Sequence, residues 1–226
     1  MTWVISNMDI ILSYLIAHLA QTLAPVLLTL VMAVPIAAVA NRHRRLRSVI
    51  LSGSGLLYAI PSLPLFIVLP VLIGTSIRDP LNIIIALTLY GLALLVPVAA
   101  DAFATISEDI QVAATALGYS PWQKFLLVSL PLAIPSLTAG LRVVAVSTVS
   151  LVTVGAVLGI DSLGLLFTDG FQRNILAEVL TGIIGTATLA VLFDQLIHRL
   201  GKILTPWAQS RKHVTPSATC AEVEEP

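Results

Sequence analysis

Charge is what this sequence has least of. Asp, Glu, Lys and Arg make up 11% of its 226 residues while 57% are hydrophobic, against roughly 25% and about 45–50% in a water-soluble domain. That balance excludes a chain folded wholly in water. The formal charges cancel, 12 basic against 12 acidic, so nothing points to nucleic acid as a partner. Cysteine is almost missing, and with Cys220 alone an intrachain disulfide is excluded. The four histidines are scattered without metal-ligand spacing, so no metal site is expected. No G-x-x-x-x-G-K-[ST] phosphate loop occurs, which removes the usual means of cradling a nucleotide. No cofactor of the chain's own is expected. Internal repeats are lacking too.

The charge that remains is unevenly spread. Asp9 to Arg42, Arg47 to Arg78 and Asp79 to Asp101 each enclose a stretch with no Asp, Glu, Lys or Arg, longer than the roughly 20 residues a helix needs to cross hydrocarbon. With proline and glycine as punctuation, spans are expected near 20–40, 49–73, 81–101, 133–159 and 175–198. The fold class is therefore all-α, a polytopic membrane bundle of about five transmembrane helices. Residues 1–19 have no basic region ahead of their apolar run and are not read as a cleaved signal. They are expected outside or at the interface, with 9–19 either an interfacial helix or an extension of the first span. Residues 20–204 form the membrane domain, and 205–226, polar and rich in Pro, Ser, Thr and Glu, are expected to be a disordered tail.

Lys and Arg resist translocation and so mark the cytoplasmic side. Arg42, Arg44, Arg45 and Arg47 in loop 41–48, Lys124 between the third and fourth spans, and Arg199, Lys202, Arg211 and Lys212 after the fifth make nine on one side, against Arg78 and Arg173 on the other. This predicts an external N-terminus and a cytoplasmic C-terminus. Prolines punctuate the spans at Pro25, Pro35, Pro61, Pro64, Pro70, Pro97 and Pro135, and broken helices are tolerated in a membrane only where protein or a polar cavity satisfies the freed carbonyls. Gly155 and Gly159, and Gly53 and Gly55 with Ser52 and Ser54, are small enough to let helices approach closely. Ordinary packing is their commoner role.

The segment 105–131 carries the chemistry. Ser107 followed by Glu108 and Asp109 marks a helix start, since an N-cap oxygen and first-turn acids compensate unpaired N–H groups. Ile110, Ala113, Ala114 and Leu117 then give one apolar stripe. Gly118 suits a left-handed helix end, and Ser120-Pro121-Trp122-Gln123 offers a capping box with proline in the first turn. A second short helix is expected with Trp122, Phe125, Leu126 and Ser129 on one face, Pro131 turning the chain back into the membrane. Two short helices with apolar faces, left in water beneath a bundle, call for a protein that covers them; the blander reading lays them on the membrane interface.

Ala113-Ala114, Gly118 four residues on, then Val128 and Leu130-Pro131 resemble the cytoplasmic Glu-Ala-Ala loop of binding-protein-dependent ABC importer permeases. Val112 stands where that family usually has glutamate, so the resemblance does not carry over any ion pair that such a glutamate makes with the ATPase; Glu108 and Asp109 lie about one turn earlier. The run Tyr58-Ala59-Ile60-Pro61-Ser62-Leu63-Pro64-Leu65, the stretch from Leu130-Pro131 to Arg142, and Gly155 to Gly164 look like the osmoprotectant branch. The resemblance covers about 20 to 200. It implies a type I importer permease with MetI-like architecture in the plasma (inner) membrane of a bacterium, moving glycine betaine, choline, carnitine or proline. It also implies a second permease chain, identical or paralogous, two ABC ATPase subunits that bind the ATP, and an external substrate-binding protein. Val112, Ala113, Ala114, Gly118, Tyr119, Ser120, Trp122, Leu130 and Pro131 would dock the ATPase. Tyr58, Pro61, Ser62, Ser147, Thr148 and Ser150 are candidates for the translocation path, although Ser and Thr in spans commonly bond their own helix.

Other polar residues carry blander expectations. Arg142 is expected to snorkel to the interface, Asp194 and His198 to pair locally at i,i+4, and His18 to sit at the interface. Asp161 and Asp169 are expected in an external loop, solvated or touching a binding protein. A secondary carrier would show repeats and midplane ionisable groups, and an intramembrane enzyme a catalytic cluster within a span; neither pattern is present.

Overall fold

The computed structural model describes residues 2–208, and among these there is no strand. In chain order the helices are α1 (Thr2–Ser6), α2 (Met8–Ala40), α3 (Arg44–Ala59), α4 (Ser62–Ile73), α5 (Pro80–Ala104), α6 (Glu108–Ala116), α7 (Pro121–Lys124), α8 (Leu130–Gly155), α9 (Gly164–Gln172) and α10 (Leu176–Leu204). A π turn, Phe125–Ser129, joins α7 to α8, and short 3-10 turns follow α8 and α10. Residues 209–226, with Cys220, Arg211 and Lys212, lie outside the described residues, and with them most of the expected tail.

Four helical segments are long and apolar enough to cross a membrane: Met8–Ala40, Pro80–Ala104, Pro121–Leu158 and Leu176–Leu204. Residues 8–19 continue the first span without a break, and Ile11, Tyr14 and Leu15 pack on the same cluster as Leu163, Leu166 and Phe193. At 33 residues and 1.5 Å per residue, α2 reaches about 50 Å, well beyond the hydrocarbon. Pro25, Pro35, Pro97 and Pro135 lie inside helices that run through them.

The expected second span, 49–73, is not one helix. α3 and α4 meet at 103°, because Ile60 precedes a proline and is extended (φ −69°, ψ 125°), as is Pro61 (φ −62°, ψ 140°). The Tyr90 hydroxyl donates to the Ile60 carbonyl, and Tyr58 sets its ring edge-on to Tyr90 at 6.4 Å. The break is thus satisfied by a neighbouring helix. Together α3 and α4 run the length of α5: Arg47 pairs with Asp101 at 2.5 Å at one end, Ile50 packs with Leu95 and Val96, and Phe66 and Leu69 meet Ile83 and Ala86 at the other. The pair amounts to a fifth, broken crossing.

Small residues let the helices approach closely. Ala37, Ala99, Ala100 and Ala133 form one buried cluster with Leu137, and Gly91 of α5 lies so close to Thr29 of α2 that a Cβ there would collide with the threonine side chain. Gly53 and Gly55 have open space before them, so the expected close approach at α3 is not made within this chain. Gly159 does not pair with Gly155 on a helix face. It ends the 3-10 turn in a left-handed conformation, φ 74°.

Two polar expectations are corrected. Asp194 is not confined to a local pair with His198: Arg142 bonds it across α8 and α10 through both carboxylate oxygens, at 2.7 and 2.8 Å. A guanidinium in an apolar bundle is better compensated by a bidentate carboxylate than by a distant interface. His18 is fully buried, its Nε2 3.2 Å from the Val149 carbonyl. At the opposite end from the basic loop, Asp169 lies on α9 and bridges Arg173 at 2.9 Å, which raises the pKa of that guanidinium, and the Asp161 carbonyl accepts from Gln21.

Gly91→Ala is expected to destabilise the purified protein in detergent by about 1–3 kcal/mol through overpacking, read as a lower thermal midpoint. Adding Thr29→Gly should recover most of the loss; no recovery would show that this contact does not set the α2–α5 spacing.

Candidate functional site

At the basic end, α5 gives way to a helical hairpin whose turn is fixed by one glycine. Gly118 takes φ +83°, a region in which an L side chain is disfavoured by about 1–2 kcal/mol. Its N–H donates to the Thr115 carbonyl at 2.9 Å, and the Tyr119 N–H to the Ala114 carbonyl at 3.1 Å. These two bonds close the end of α6 as a Schellman turn. Ser120 then caps α7 reciprocally, accepting from the Gln123 N–H at 3.3 Å while the Gln123 side chain accepts from the Ser120 N–H at 2.9 Å. Ser107 sits at the N-cap of α6 as expected but makes no side-chain cap bond; Glu108 and Asp109 occupy the first turn.

The second half of the hairpin differs from expectation. α7 is not a separate helix ended by Pro131; it runs through the π turn into α8, and Pro121–Leu158 is one helical path of 38 residues. The π turn is the reason. Proline has no N–H and its ring crowds the carbonyl four residues back, and the wider turn, with the Leu130 N–H reaching the Phe125 carbonyl, absorbs that mismatch. Leu130 is tied to the core beside Ala37, Ala99 and Ala133.

The hairpin is bound to itself and to α5, and much of its apolar surface stays open. Gln111 donates to Ser129 at 3.0 Å and Lys124 to Thr115 at 3.0 Å. Phe125 contacts the rings of Phe103 and Trp122 at 5.6 and 6.0 Å. Of the expected stripe Ile110, Ala113, Ala114 and Leu117, only Ala114 is buried. Leu117 is 75% exposed, Trp122 69% and Val112 61%, and Tyr119 and Ser120 are exposed as well. Gln111, Thr115 and Phe103 carry no signal in the sequence, and Lys124 is legible there only as a charge of the cytoplasmic side, because their partners lie on other elements and no spacing rule links them.

The path candidates fall at the break between α3 and α4 and on α8. Tyr58, Pro61 and Ser62 flank the break between α3 and α4, with Tyr58 and Pro61 exposed. On α8, Ser150 is exposed and Ser147 half-buried. Thr148 is buried, its hydroxyl donating to the Val144 carbonyl of its own helix at 2.8 Å.

Residues 26–210 match the family of binding-protein-dependent transport system inner membrane components. The chain belongs to that family. It is similar to the osmoprotectant import permease protein OsmW of Salmonella typhimurium, 30% identical over 207 residues that cover 90% of this chain and 96% of that protein. It is also similar to the choline transport system permease protein OpuBD of Bacillus subtilis, 28% identical over 222 residues, 96% and 97% of the two chains. The fold is that of ABC importer permeases: a chain of the inward-facing MetNI methionine ABC transporter superposes with a TM-score of 0.76 at 18% identity, covering 88% of this chain and 98% of that one. The protein is thus a membrane-spanning transport subunit.

In this transport subunit, Gly118→Val should strain the turn by about 1–2 kcal/mol and Ser120→Ala should remove a cap of about 1 kcal/mol. Hydrogen exchange is the measurement: faster exchange at the amides of 117–124, with the spans unchanged, is expected for both.

Proposed function

We propose that the chain is the permease subunit of an ATP-driven importer that moves a small osmoprotectant, such as glycine betaine, choline, carnitine or proline, across the plasma (inner) membrane. The observation that carries this reading is mechanical. An exposed apolar hairpin, stiffened by a Schellman turn and a capping box, continues without a break into a membrane span. A motor that grips Val112, Leu117 and Trp122 grips the end of that span, so a displacement of the hairpin is a displacement of α8. Two partner ATPase subunits bind and hydrolyse the ATP, and a substrate-binding protein delivers cargo from outside. The family's dependence on binding proteins supports that last partner, and the relatives' names support the cargo class.

A second permease chain completes the path. Five crossings are few to enclose one, and Tyr58, Pro61, Ser62, Ser147, Thr148 and Ser150 are the positions we assign to it. The nine-to-two distribution of basic residues supports an external N-terminus and a cytoplasmic hairpin.

Pull-down of the detergent-solubilised chain with its ATPase tests the docking role. Gly118→Asp should abolish recovery. Trp122→Ala should weaken association by about 2 kcal/mol or more, roughly 30-fold, as for a central aromatic anchor. Equal recovery of the ATPase with wild type and both variants would sink the assignment. For the cargo class, proteoliposomes holding the permease, ATPase and binding protein should accumulate labelled glycine betaine or choline only with internal ATP; uptake of none of the four named solutes would refute it.

A further inference from the structure

At the basic end, a cavity of about 860 Å³ opens between α2 and the start of α7 and α8. Val34 and Val39 line one side and Trp122 and Phe125 another, with Arg42 and Lys124 also on its wall. No carboxylate lines it. Arg47, a few residues from Arg42, is neutralised by Asp101. Arg42 has no ion pair among the described residues, and Lys124 donates only to the neutral hydroxyl of Thr115. Among the described residues, two cations without an ion pair therefore share a slot lined mostly by apolar side chains, with Gln111 and Ser129 as the other polar ones. Their level matters: Arg42 lies two residues beyond the end of α2 and Lys124 in the first turn of the helical path that becomes the fourth crossing, so both cations stand at the ends of spans, where hydrocarbon gives way to headgroups. Val39 and, two turns up α2, Val31 are exposed, so the slot continues into a surface suited to acyl chains.

We infer that this cavity is a binding site for an anionic phospholipid, its phosphate held between Arg42 and Lys124 and an acyl chain laid along Val34, Val39 and Phe125. Basic pockets between transmembrane helices take such headgroups. A soluble phosphate would satisfy the two cations but would leave the apolar walls without an occupant. The inference does not depend on the ATPase, so the chain alone tests it. Failure here would leave the docking role untouched.

The full-length chain carrying Trp3→Phe and Trp207→Phe, which leaves Trp122 as the sole indole, would be placed in nanodiscs. Its quenching by brominated phosphatidylglycerol would be compared with that by brominated phosphatidylcholine at equal mole fraction. Each cation contributes about a fivefold preference, so phosphatidylglycerol should quench more strongly. Arg42→Gln with Lys124→Gln should erase the difference, while the charge-keeping pair Arg42→Lys and Lys124→Arg should retain it. Arg45→Gln, at an exposed arginine of the same loop that does not line the cavity, should leave it intact. Equal quenching by the two lipids, a preference that survives the double Gln variant, or one that Arg45→Gln erases as completely would overturn the proposal. Loss of the preference on adding millimolar inorganic phosphate would also overturn it, by making the site one for soluble anions.

Discussion

Hydrocarbon offers no hydrogen-bond partners, so every backbone N–H and C=O within the bilayer must be satisfied by protein. The chain meets that demand even where its regular helices fail. At Ile60 and Pro61 the second crossing bends by 103°, and a tyrosine hydroxyl from α5 reaches the free carbonyl. At Pro131 a π turn spaces the ladder so that a missing donor does not break the path. Thr22, Thr88, Thr148, Thr181 and Thr186 all return their hydroxyls to a carbonyl four residues back on their own helix. Polar side chains are present in the spans largely because each brings its own acceptor.

The same rule separates the two halves of the hairpin. α6 lies outside the spans and is held by one buried alanine and a few side-chain bonds, whereas α7 is the first turn of a span. One arm is therefore a surface and the other a shaft, with Gly118 between them. Arg142 and Asp194 extend the connection by tying α8 to α10 through a bidentate pair.

Much of this was legible in the residues. Charge-free stretches marked the first three crossings, since the cost of a charge in lipid dominates local preference, and hydropathy punctuated by proline and glycine marked the other two. Gly118 and the Ser120–Gln123 box were readable because turn and cap chemistry is local. What escaped was non-local or geometric. The α3–α4 bend has a visible cause in Pro61, but the angle depends on Tyr90, thirty residues away. The pairing of Arg142 with Asp194 depends on which helices are neighbours. Pro131 suggests only a turn of the chain back into the membrane, and the π turn that lets the helix continue has no sequence signature of its own. Thr148 could not be assigned to core or path until the packing of α8 was known.

On the proposed docking role, the large exposure of Val112 bears on the medium in which a partner ATPase would grip the hairpin. An ionic grip slackens as electrolyte rises, because the Debye length shrinks from about 10 Å at 0.1 M to about 3 Å at 1 M, whereas apolar contact is not screened. In that role, a contact made by valine, leucine and tryptophan would hold as the surrounding electrolyte concentrates, where one made by opposite charges would loosen.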